Sequence, residues 1–199
     1  QLSFSLLVSQ CTDINKQAGV CMKSINKAAV LIAITMLISG CHITSQQGSY
    51  ILEIETTPYR ESDSSWARAT EIILRHHQLY YSQQDLLDYQ YVYLDTESTP
   101  TIDDISWLLW DLGGLDSYVS GTLSLIEIRS QLRQGSPVML QYGPYYSGHY
   151  LVIYGYDDHD RVYIHEPGYG TRVIHYTDLY YQRFHGKGHY WESSLLIEP

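Results

Sequence analysis

The chain has no cysteine after Cys41. A domain built from the residues that follow has neither an internal disulfide framework nor a thiolate metal site. Basic residues are also scarce, with 12 Lys and Arg against 22 Asp and Glu, a formal charge of −10. That balance excludes a nucleic-acid partner, which requires a basic face to neutralise phosphates. Phenylalanine occurs twice, yet tyrosine occurs 20 times. The aromatic area therefore lies mostly on rings with a polar tip, suited to a cleft or a half-wet surface. No apolar run reaches the about 20 residues that cross a bilayer. No complete set of metal ligands and no cofactor motif occurs, so neither a metal nor a cofactor is expected. What remains is 199 residues, 44% hydrophobic and 17% charged, enough for one globular domain of ordinary size.

The charge is uneven. Residues 1–40 hold Lys16, Lys23 and Lys27 against Asp13, which leaves 9 basic and 21 acidic groups in 41–199. From Met22 the order is MKSINK, then AAVLIAITMLIS, then Gly40-Cys41. A basic head, a short apolar stretch and a small residue before a cut describe an export signal. Ile38-Ser39-Gly40-Cys41 resembles the lipobox of bacterial lipoproteins. The resemblance implies cleavage before Cys41, a diacylglycerol on its thiol, and the membrane as a partner through acyl chains. His42 stands where Asp favours inner-membrane retention, so the resemblance implies a cell-envelope protein at the outer rather than the inner membrane. The expected organisation is 1–21 upstream of the true start and outside the fold, 22–40 signal peptide, 41–49 polar tether, and 50–199 one domain.

Within the domain, helical and strand-like periods separate along the chain. Tyr50–Ile54 alternates as a short strand, and 58–65 is a polar loop. Trp66, Ala69, Ile72 and Ile73 mark a helix from about Ser65 to His77. A second helix starts after Ser82. A third runs from Thr101 to Gly113-Gly114, and a fourth opens on the Ser124–Glu127 capping box and ends at Gly135. Then the period becomes that of strands, at Pro137–Tyr142, Tyr150–Tyr156, Arg161–His165, Thr171–Tyr176 and Tyr190–Ile197, with a short helix expected over Thr177–Phe184. Helices followed by an antiparallel sheet make the fold class α+β.

Three residues suit nucleophilic catalysis in this order. Ser65 opens a helix, where free backbone N–H groups favour negative charge. His149 enters a strand as a base, and Glu166 ends the next strand as an orienting carboxylate. The surrounding residues are Ser65-Trp66-Ala67, Gly135-Ser136-Pro137-Val138, Gly148-His149, Val152-Ile153-Tyr154-Gly155-Tyr156 and Glu166-Pro167-Gly168-Tyr169-Gly170. From Pro58 to Ile197 this pattern resembles the small bacterial papain-like cysteine peptidases, in particular the avirulence-effector and bacteriocin leader-peptidase groups. The resemblance implies a papain-like fold, with a helix beginning at the nucleophile, and a peptide or protein ligand.

The departures bear on chemistry. Ser65 stands where the family has its nucleophilic Cys, and Glu166 where it has Asp or Asn. Tyr59, Arg60 and Glu61 occupy the place of its oxyanion-hole Gln. A thiol near pKa 8.5 is made a thiolate by a neighbouring His and a helix dipole, whereas a hydroxyl is not. Placing the smaller oxygen about 1 Å amiss costs on the order of a hundredfold in rate. Losing an oxyanion donor costs about 10²–10³ more. The expectation is a degenerate site, a pseudoenzyme that binds without efficient turnover. An active Ser65-His149-Glu166 hydrolase and a structural lipoprotein without ligand are the alternatives. Each residue also has a plainer role: Ser65 as a helix N-cap, His149 as a satisfied strand histidine, Glu166 as a solvated turn carboxylate. His76-His77 point apart, His185 and His189 lack further ligands, and Asp157, Asp158 and Asp160 read as a solvated turn. The loop 143–147 before His149 is expected to line the cleft.

Overall fold

Residues 48–56, 64–94, 98–143, 148–181 and 190–199 are described by a computed structural model. The chain divides into two compact units, Gln1–Ser45 and Gln46–Pro199, and every described residue belongs to the second. The expected signal peptide, Cys41, and the loop residues 58–63, 144–147 and 182–189 lie outside the described residues. Among the described residues no helix is long and apolar enough to cross a membrane.

The helices begin where short polar side chains satisfy the first free N–H groups. In α1 (Ser65–His76), α2 (Gln83–Tyr89), α3 (Ile102–Gly113) and α4 (Leu125–Arg133), three of the four starts are capping boxes, at Ser82/Asp85, Thr101/Asp104 and Ser124/Glu127. Helix α3 stops at Gly114, whose φ of 63° is left-handed. Helix α1 differs from the others. Ser64 takes its N-cap position without a side-chain bond, and Trp66 to Leu74 are all buried. Ser65 is therefore inside the helix, and its expected role as a cap does not hold.

The strands are β1 (Tyr50–Ile51), β2 (Ser117–Ser120), β3 (Val138–Tyr142), β4 (His149–Tyr156), β5 (Arg161–Glu166), β6 (Gly170–His175) and β7 (Trp191–Ile197). They pair antiparallel in the order β2-β7-β3-β4-β5-β6, and β1 joins the far end of β4. A short helix, α5 (Tyr176–Tyr180), follows β6. Gly155 makes the β1 contact: a Cβ there would sit 3.0 Å from the Tyr50 carbonyl oxygen. Side chains alternate across the sheet. Met139, Tyr150, Val152, Leu195 and Ile197 pack on α1, α2 and α3. Val138, Leu140, Leu151, Ile153 and Ile164 pack with Ile128, Leu132 and Leu179 on the other side.

Three differences from the sequence expectation concern short elements. The first strand is two residues rather than five. β2 was not expected, because Ser-Tyr-Val-Ser alternates too briefly to register. Gln90–Leu94 forms a π-helical turn that continues α2. The α+β class holds, with β1 before the helices and β2 among them.

One buried polar group gives the fold a pH dependence. His165 is 4% exposed. Burial, and after it the positive Arg68 nearby, lower its pKa to about 4 against the opposing pull of Glu166. The unfolded chain takes up this proton near the ordinary value of 6.5, while the folded chain resists it. Stability is then complete above about pH 6.5 and falls toward pH 4, by up to about 1.4 kcal/mol per pH unit. Urea unfolding across that window is expected to show the fall, and His165→Phe is expected to flatten it. An unchanged slope in the variant would mean that groups other than His165 set the pH dependence.

Candidate functional site

Cross-strand register assembles the polar residues of the site. Glu166 closes β5 opposite Gly170 of β6, and Arg172 lies two residues on, opposite Ile164. Glu166 and Arg172 are thus diagonal neighbours on one face. On the other side, Val152 of β4 pairs with His165, which sets the first residue of β4, His149, diagonal to Glu166. The contacts follow from this geometry. Arg172 Nη1 donates to Glu166 Oε2 at 3.0 Å, and His149 Nε2 lies 3.3 Å from Glu166 Oε1. The second is the longer of the two.

Glu166 is fully buried, while His149 is 27% and Arg172 41% exposed. A carboxylate removed from water requires cationic or donor partners to remain charged. Its place as a solvated turn residue is therefore overturned: it is the buried end of a chain of contacts leading to the surface.

Ser65 approaches from α1. Its Oγ accepts a hydrogen bond from the Tyr150 backbone N–H at 3.3 Å, so the hydroxyl meets β4 at the peptide next to His149. Helix α1 is 12 residues long and brings its first free N–H groups to this point. Both features stabilise negative charge on the serine oxygen. Nε2 of His149 is the ring nitrogen turned to Glu166. Behind the histidine, Gly148 makes room for Gln141: a Cβ on Gly148 would fall 2.7 Å from the Gln141 side-chain amide. The fully buried Gln141 accepts from Ser193 Oγ at 2.9 Å, which holds it against the start of β4.

Arg172 and Gln141 were not among the sequence candidates. Neither carries a motif, since Arg172 sits in an alternating strand and Gln141 in a run of apolar strand residues. Their relation to Glu166 and Gly148 exists only in the register. The groups expected to be idle have structural roles. His76 makes ring contacts to the carbonyls of Glu53 (3.1 Å) and Gly135 (2.6 Å). Candidate ligand atoms of Asp157, Asp158 and His159 lie within 4.8 Å of one another. Asp157, however, spends its oxygens on the N–H groups of His159 and Arg161 and on the Arg161 guanidinium, which makes it the brace of the β4–β5 turn. Tyr59, Arg60 and Glu61, most of the loop 143–147, and His185 and His189 lie outside the described residues.

Residues 32–194 match the Peptidase_C39 like family. The chain belongs to that family. Solved structures similar to it include a double glycine motif protease from an AMS/PCAT transporter, in complex with the leader peptide. The similarity there is 13% identity over 78% of this chain and 96% of that one, with a TM-score of 0.54. The peptidase domain of Streptococcus ComA, a bi-functional ABC transporter involved in a quorum sensing pathway, is 14% identical over 74% of this chain and 98% of that one, TM-score 0.54. UfSP from C. elegans is 15% identical over 82% of this chain and 36% of that one, TM-score 0.50. No curated protein matches the chain. The likeness establishes the papain-like α+β fold, as the sequence pattern implied.

The ion pair between Glu166 and Arg172 is testable by removing the guanidinium. Arg172→Ala removes the guanidinium that donates to the buried Glu166 Oε2. Losing one partner of a fully buried pair costs about 3–5 kcal/mol, and the exposure of Arg172 reduces this to about 1–3. Arg172→Lys should restore part of the loss in urea unfolding at pH 7. Wild-type stability in Arg172→Ala would show that Glu166 does not depend on that ion pair.

Proposed function

We propose that this is a lipid-anchored protein of the cell envelope whose C39-like domain holds a peptide ligand without efficient turnover. The anchor rests on the lipobox-like Ile38-Ser39-Gly40-Cys41 behind a basic and apolar segment, and His42 favours the outer membrane. The peptide ligand rests on the family and on the similar transporter protease held with its leader peptide. The same family ties the domain to cysteine-peptidase ancestry.

The observation that carries the loss of turnover is the state of the triad positions. The nucleophile position holds a hydroxyl, and the carboxylate behind His149 is shared with Arg172 at the shorter distance. An orienting carboxylate assists catalysis by stabilising the imidazolium that forms when the base takes its proton. A guanidinium on the same carboxylate takes up part of that negative charge. The oxygen nucleophile and the divided carboxylate weaken the same proton transfer.

A second reading has an observation in its favour. Ser65 Oγ stands at a helix start and beside a strand N–H, both of which stabilise an alkoxide. A slow serine hydrolase would use Ser65 as nucleophile, His149 as base and Glu166 as orienter.

A fluorophosphonate probe separates the two readings. The full chain is expected to stay unlabelled while binding a double-glycine leader peptide saturably. Labelling that disappears in Ser65→Ala would replace the binding protein with a hydrolase. Neither labelling nor peptide binding would reduce the domain to a structural role.

A further inference from the structure

His165 is buried, and neither of its ring nitrogens has a hydrogen-bond partner among the described residues. A neutral imidazole has one donor and one acceptor, and native interiors seldom leave both dry. The ring is not facing packed side chains alone. It lines a cavity of about 430 Å³ with Thr56, Arg68, Gly168, Tyr169, Gly170 and Thr171. That volume lies within the range of small-ligand sites, about 300–1,000 Å³.

Arg68 is the charged side chain among the described residues of the lining. Arg68 is 3% exposed and lies on α1 one turn beyond Ser65. Among the described residues no acidic side chain lines the cavity. Thr56 and Thr171 add hydroxyls. Gly168 and Gly170, with φ of 87° and 80°, curl the backbone of the β5–β6 turn around the rim. A guanidinium, an imidazole N–H and hydroxyl groups facing one space form a donor set for an acceptor of negative charge. The planar fork of arginine fits a carboxylate. Glu166 follows His165 in β5 and makes its contacts with His149 and Arg172, so the cavity is a separate set of side chains bordering the catalytic-type site.

We propose that this cavity binds a carboxylate group, held by Arg68 and by the His165 ring N–H. Two sources present that chemistry, a small free acid and an acidic side chain of a bound peptide. The proposal does not require turnover at Ser65.

The test is calorimetric titration of the full chain with succinate, with a short peptide bearing one glutamate, and with the same peptide bearing glutamine. The His165 ring resonances are followed in parallel by NMR. At least one carboxylate is expected to saturate with a Kd of about 1 mM or tighter, and the glutamine peptide to bind at least about tenfold more weakly. The His165 signals are expected to shift at saturation, and His165→Phe to lose at least about tenfold in affinity. Succinate binding as tightly as the glutamate peptide assigns the site to free acids. A peptide preference beyond about tenfold assigns it to acidic peptides. Absence of saturation by either carboxylate, equal binding of the glutamine peptide, or full affinity in His165→Phe would overturn the proposal. Should His165→Phe fail to fold, unmoved His165 signals in the wild-type chain at saturation would overturn it equally.

Discussion

A carboxylate with no contact with water constrains this domain more than any other single group. Glu166 is fully buried at the end of β5, so something must hold its charge, and the register of three strands supplies Arg172 on one side and His149 on the other. A shift of one residue in either pairing would turn a partner to the opposite face. The position of β4 beside β5 thus fixes where His149 stands, and α1 packing on β4 fixes where Ser65 arrives. Strands β4 and β5 contribute to apolar clusters on both faces of the sheet, which keep water from the carboxylate.

The same constraint bears on the chemistry. A carboxylate that served His149 alone would favour the imidazolium and with it a general-base role. Arg172 competes for that charge from a half-exposed position, which tilts the arrangement toward a stable ion pair. On the proposed reading, a hydroxyl at residue 65 acts in the same direction, since it is not ionised as a thiol is. Family membership explains the fold and the order of the residues. It does not by itself assign an activity.

Much of this was legible in the sequence because the relevant patterns are local. Ser82, Thr101 and Ser124 announce helix starts through side chains three residues apart, and Gly114 announces an end. Ser65, His149 and Glu166 were visible because glycines, prolines and a tryptophan flank them in a characteristic order. Arg172, Gln141 and the cavity around His165 and Arg68 were not, because each depends on which residues face one another across strands or across α1. Tyr-Ile of β1 and Ser-Tyr-Val-Ser of β2 were misjudged or missed because short strands carry too few alternations to outweigh their neighbours. The burial of Glu166 was hidden for a related reason: Glu-Pro-Gly marks a turn, and only the fold shows that this turn begins from inside the sheet.

On the proposed reading, residue 65 sits in an environment suited to a thiolate beside His149. The most direct measurement is the pH dependence of iodoacetamide alkylation in Ser65→Cys, followed by mass spectrometry on the peptide containing residue 65. The introduced thiol is expected to react with a midpoint well below the ordinary thiol pKa of about 8.5, and His149→Ala in the same background should return the midpoint toward that value. A midpoint at or above about 8.5, unmoved by His149→Ala, would contradict the claim.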